Sequence, residues 1–185
     1  MQRLPRLAVV IAVLSLPLIS GEVKNLLQHE FPDVGKVFEG FRAGLALFDV
    51  DNDGDLDCLT TTEVDYDASV PSAVYIWFLQ GVNGHEGRNI TYYVRPGDGP
   101  GQLLLKDQNV DGPLQTATIF YSDYKDCVVV DLPYENSQEC MLWISWEVKN
   151  NVPQRCIDEY DGSCENAKQT FDDETCSPFF EVSGL

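Results

Sequence analysis

The chain reads as all-β: an eight-stranded antiparallel up-and-down barrel with short helices at its N-terminal and C-terminal ends, stapled by disulfides. Three observations predict this. Beyond Gly35 the sequence breaks into short β-rich runs, divided at nearly even spacing by Gly, Pro, Asn and Asp. No helical crossover lies between the runs, so neighbouring strands pair antiparallel through tight turns. Five of the six cysteines fall between Cys127 and Cys176 with no C-x-x-C spacing, which favours a covalently stapled closing section over a zinc or thioredoxin-type site. An antiparallel sandwich accommodates the same strands, because strand count alone does not decide closure.

Residues 1–21 carry Arg3 and Arg6, an apolar run from Leu7 to Ile19, and then Ser20 and Gly21, the pattern of a secretory signal peptide. The run is shorter than the roughly 20 apolar residues a membrane span needs, and Pro17 interrupts it. Its removal leaves residues 22–185 as one domain in an oxidising compartment, where six cysteines form three disulfides. The net charge of −18 then becomes −20, which repels nucleic acid and anionic membrane. A well-solvated secreted surface is the plainer meaning of that charge.

Glu22–Phe31 places Val23, Leu26 and Leu27 at helical spacing before Pro32. Strands are expected over Val37–Phe48, Leu56–Val64, Ala73–Leu79, Asn89–Val94, Gln102–Lys106, Leu114–Tyr121, Cys127–Leu132 and Met141–Val148, with room for a helix over Pro153–Cys164.

Asp49, Asp51, Asp53, Asp55 and Asp57 alternate around Gly54 in the manner of a calcium loop. Position twelve is Thr60 where an EF-hand carries a bidentate Glu, the flanks are β-type, and the loop occurs once. An acidic hairpin turn built on Asn52, Asp53 and Gly54 is the better reading, with no metal site. Asn89-Ile90-Thr91 is a glycosylation sequon. His29 and His85 sit beside no plausible nucleophile, and paired cysteines leave no free thiolate, so neither an enzyme nor a cofactor is expected.

Cys127-Val-Val-Val-Asp, Cys140-Met-Leu-Trp, Val-Pro-Gln-Arg-Cys156 and the trailing Cys164 and Cys176 resemble, as an ordered set, the closing half of tick salivary lipocalins, the family that includes histamine-binding proteins. Asp-Leu-Asp-Cys58-Leu-Thr and Tyr121-Ser122-Asp123-Tyr124 fit the same pattern upstream. The resemblance implies a lipocalin barrel with a helix outside it over Pro153–Cys164. It also implies disulfides Cys58–Cys176 and Cys127–Cys156, leaving Cys140 with Cys164.

Aromatics recur on successive strands, among them Tyr75, Trp77, Tyr92, Tyr121, Trp143 and Trp146. Alternate residues of an eight-stranded barrel face its lumen, so one subset lines a small-ligand cavity or fills a dry core. Met141, Trp143, Ser145 and Glu147 share one face of the last strand by parity. The resemblance places the Met141 position in the cavity, where amine binders carry an acid. Val128 and Ala117 likewise replace family acids, and Asp49 retains one, although its aromatic companion is here Asn52. A buried ammonium costs several kcal/mol without a carboxylate, so these losses favour an apolar or amphipathic ligand with Arg95 or a tyrosine hydroxyl at the mouth.

Asp49, Trp77, Tyr121, Met141, Trp143 and Glu147 are thus the candidate ligand contacts of a secreted monomer that captures a small host mediator, a biogenic amine or a lipid. Two other readings stand beside it: a protein-binding decoy with a filled barrel, and a calcium-dependent adhesion module on Asp49–Asp57. The turn reading of that loop predicts calcium binding no tighter than about millimolar. Calorimetry showing micromolar affinity that Asp53→Ala abolishes would overturn it.

Overall fold

A computed structural model describes residues 30–50 and 52–180. The expected signal peptide lies outside the described residues, as does most of the expected Glu22–Phe31 helix. Glu30 and Phe31 are described and are not helical.

The first element is α1 (Val34–Gly40), whose N-cap Asp33 accepts the Lys36 N–H at 3.2 Å. Eight strands follow: β1 (Ala43–Asp49), β2 (Thr60–Asp67), β3 (Ser72–Leu79), β4 (Arg88–Pro96), β5 (Gln102–Asp107), β6 (Gln115–Ser122), β7 (Cys127–Tyr134) and β8 (Ser137–Ile144). Each pairs antiparallel with the next, and β1 bonds on both sides: Leu45 lies opposite Thr60 of β2 and Ile144 of β8. The sheet therefore closes into an up-and-down barrel, and the sandwich alternative falls. Past a bulge between Ala46 and Phe48, β1 also carries the two-residue β9 (Lys168–Gln169). The helices α2 (Gln154–Ser163) and α3 (Asp173–Phe180) complete the described residues.

Four expected strand bounds need correction, one of them the start of the last strand, at Ser137 and not Met141. The run expected as a strand from Val37 begins as α1, because Val34, Val37, Phe38 and Phe41 follow the helical period and bury together at one end of the barrel. The second strand starts at Thr60 and not Leu56, since Leu56 and Leu59 turn inward from the preceding loop and Cys58 holds a left-handed φ of 62°. The last strand ends at Ile144. There the Ser145 N–H bonds the Asp126 carbonyl at 2.9 Å, and Trp146–Val148 forms a 3-10 turn.

Strand alternation divides the apolar residues between two cores. The inner one fills the barrel. The outer one gathers Leu45, Val129, Leu142 and Ile144 under α2 and the closing segment. Disulfides Cys127–Cys156 and Cys140–Cys164 fix α2 to β7 and β8, and Cys58–Cys176 fixes the β1–β2 loop to α3, the three pairs the resemblance implies. Tyr160 of α2 is fully buried and donates its hydroxyl toward the carbonyls of Asp49 (3.0 Å) and Cys140 (3.2 Å). Among the described residues no helix is long and apolar enough to cross a membrane.

The Cys58–Cys176 bond spans 118 residues, so its loss releases the largest closed loop. Denaturant unfolding of the paired Cys58→Ala, Cys176→Ala variant is expected to show about 4–5 kcal/mol less stability than the parent.

Candidate ligand-binding site

The lumen of the barrel holds an apolar lower chamber, and an upper chamber with a largely exposed lining opens at one mouth. The lower one is a cavity of about 100 Å³, floored by Val37 and Phe38 of α1 and the capping Phe41, and walled by aromatic and aliphatic residues from six strands together with Thr61 of β2. Trp77 stands at its centre, with ring centroids 5.2 Å from Trp143, 5.0 Å from Tyr92 in an edge-on contact and 6.1 Å from Tyr134. Its polar atoms are partly occupied: Thr61 donates its hydroxyl to the Ile76 carbonyl at 3.2 Å, and Tyr75 to the Phe41 carbonyl at 2.7 Å. Among the described residues no charged side chain lines this chamber.

The upper chamber, about 450 Å³, lies at the opposite end from α1, between the ends of β4, β5 and β7 and the β5–β6 loop. It opens there because the β6–β7 ladder stops at the Thr118–Asp131 pair, leaving the strand ends above it unbonded to each other. Its lining is mixed, with Arg88, Asp107 and Glu135 beside Ile90, Tyr92 and Tyr134. Tyr134 donates to Asp55 Oδ2 at 2.7 Å, while Arg88 Nη2 donates to the Tyr134 oxygen at 2.9 Å and to Glu135. Burial pushes the Tyr134 hydroxyl pKa up, and the hydrogen bond to Asp55 adds to that. The Glu135 contact holds the Arg88 guanidinium more firmly protonated than usual.

The acidic β1–β2 loop crosses this end of the barrel. Asp57 accepts from Lys168 at 2.9 Å and from Asn83 at 2.6 Å, and Asp53 accepts the Asp55 N–H at 2.9 Å. With Leu56 buried beneath them, these bonds hold the loop down as a lid.

Of the residues singled out from sequence, Trp77 and Trp143 line the lower chamber, and Val128 does too. Met141 and Ala117 face the interior and are buried, although Met141 does not reach the cavity surface. Asp49 is buried at the end of β1 and lines neither chamber. Tyr121 points outward, because a bulge between Ile119 and Tyr121 reverses the alternation of β6 and sets the ring under the Arg155 guanidinium, 5.2 Å away. Glu147 leaves the face of Met141 and Trp143 because β8 ends at Ile144; it is exposed on the 3-10 turn. Arg95 alternates with the inward Val94, and its Nη1 donates to the adjacent Pro96 carbonyl at 3.4 Å, away from the mouth. Asn89 is exposed at the rim of the upper chamber.

Two carboxylates escaped the sequence reading. Glu139 continues the face of Met141 and Trp143 toward the lid; it is 2% exposed and accepts from the Ser137 hydroxyl. Extending the parity of β8 two residues backward would have found it. Glu63 follows Thr61 on the inner face of β2, 3.4 Å from the Tyr75 hydroxyl and 3.5 Å from Arg42 Nη1. Burial raises its pKa above the ordinary 4.5, outweighing the lowering by Arg42 and Tyr75. A raised folded pKa means that this contribution to stability is complete below 4.5 and is lost as pH rises through the folded value. Glu63→Gln is therefore expected to unfold at a higher temperature than the parent at pH 7, with the gap closing near pH 4, as scanning calorimetry at the two pH values would record.

Residues 103–178 match the family model described as tick histamine binding protein. No curated protein matches the chain. Among the solved structures that share the fold are two bound to small molecules. Japanin from Rhipicephalus appendiculatus, bound to cholesterol, superposes with a TM-score of 0.54 at 12% identity, covering 77% of this chain and 99% of its own. AM182, in complex with serotonin, gives 0.56 at 16% identity, with 78% and 95% covered. The chain thus closes into a lipocalin-type barrel whose closing half, residues 103–178, is similar to the tick histamine binding proteins.

Proposed function

We propose that the protein is a secreted, non-enzymatic monomer that sequesters a small host mediator at a feeding site, and that its ligand is apolar or amphipathic and not a small amine alone. The observation that carries this is the lining of the lower chamber: aromatic and aliphatic side chains converge on it, and no carboxylate does. An ammonium there would lose its hydration without gaining an ion pair, at a cost of several kcal/mol, while an apolar group gains about 25 cal/mol for each Å² it buries. Capture of this kind needs tight, slow-release binding at stoichiometric amounts and no chemical step. The same likeness that joins this chain to a cholesterol complex joins it to a serotonin complex, so both ligand classes belong in the test.

The competing reading, a decoy that binds another protein through its acidic surface, draws on the small volume of the lower chamber. Ligand pockets usually span about 300–1,000 Å³.

Native mass spectrometry of the secreted protein is expected to show cleavage after residue 21, a glycan on Asn89 and one small molecule per chain. When ligands are offered in turn, cholesterol or a long-chain fatty acid is expected to bind at least as tightly as histamine or serotonin. Trp143→Ala is expected to weaken that binding by about 1–3 kcal/mol. Binding of neither class at micromolar concentration would transfer the function to the decoy reading.

A further inference from the structure

The two chambers meet at one side chain. Tyr92 lines both of them, and no other residue does. Its ring is 6% exposed and rests edge-on against Trp77 at 5.0 Å. Burial drives its hydroxyl pKa up, and that hydroxyl has no hydrogen-bond partner among the described residues. Its neighbour in the partition is differently held: the Tyr134 hydroxyl is fixed between Asp55 and Arg88. Of the two tyrosines dividing the interior, one is tied at its tip and the other is not.

We propose that Tyr92 is the gate that sets ligand length: with its ring across the barrel the apolar lower chamber is separate, and rotation of the ring about χ1 joins it to the polar upper chamber. This rests on the capture reading and adds to it the residue that selects among ligands. The lower chamber alone is smaller than an ordinary ligand pocket, whereas the joined space falls inside the usual range. Rotation breaks no hydrogen bond and gives up one aromatic contact, a modest cost that an extended ligand bridging both chambers repays by burying its chain. Short ligands fit with the gate shut and gain nothing from opening it. Only ligands long enough to reach past Tyr92 distinguish the two states, so only their affinity responds to the ring.

The test uses 1-hexanol and 1-dodecanol as probes, titrated by calorimetry into the full secreted chain and its Tyr92→Phe and Tyr92→Ala variants, with near-ultraviolet circular dichroism reporting the fold. Removing the ring is expected to raise the affinity for dodecanol relative to hexanol at least tenfold, while Tyr92→Phe, which keeps the ring, retains the parental ratio. If Tyr92→Ala loses its native spectrum, Tyr92→Leu serves in its place. A folded ring-deletion variant that binds both alcohols with the parental ratio would overturn the gate and leave the capture reading standing. Failure of all the proteins to bind either alcohol would sink both.

Discussion

Everything in this molecule depends on β1 hydrogen-bonding on both of its edges. Leu45 sits between Thr60 of β2 and Ile144 of β8, and without either ladder the sheet would be open and the interior wet. The closure is close. A Cβ placed on Gly44 would lie 2.3 Å from the Ile144 carbonyl oxygen and 2.6 Å from the Phe41 ring, so only glycine lets β8 approach β1 here. On its other edge the β1–β2 ladder ends at the Leu45–Thr60 pair, which leaves the far end of β1 to accept β9 and to lead into the lid loop.

Closure converts a period of two into a division of labour. On β8, Met141 and Trp143 fill the lumen while Leu142 and Ile144 pack under α2. The outer core would be a surface patch without a cover, and two of the three disulfides hold that cover in place. The third acts at the open end, where Cys58 anchors the lid to α3. Covalent bonds therefore secure the outer layer and the lid, and the interior is left to side-chain packing.

The interior is graded from one end to the other. Below, α1 and the Trp77–Trp143 pair make an apolar floor; above, Arg88, Tyr134, Asp55 and Glu135 form a bonded polar rim. Such a gradient matches a ligand with an apolar body and a polar end. It also bears on the family resemblance, since the interior positions Ala117, Val128 and Met141 lack the acids of amine binders, while this chain's own inward carboxylates, Glu63 and Glu139, lie on β2 and at the lid end of β8.

Strand number, antiparallel order and the shared face of Met141 and Trp143 were legible in the sequence, because alternation and turn residues act over a few neighbouring positions. That this face is the lumen face, and that a helix packs outside after Pro153, came from the family resemblance. The likeness of its cysteine pattern to a known family carried the disulfide pairing as well. What the sequence could not show was every feature that depends on an extra residue in a ladder or on where a ladder stops. The bulge that turns Tyr121 outward, the end of β8 that removes Glu147 from the lumen, and the early end of the β6–β7 ladder that opens the upper chamber are set by partners far along the chain. Local pattern fixes which way a side chain points only while the register holds. The tertiary structure decides where the register breaks, and in this barrel those breaks shape the site.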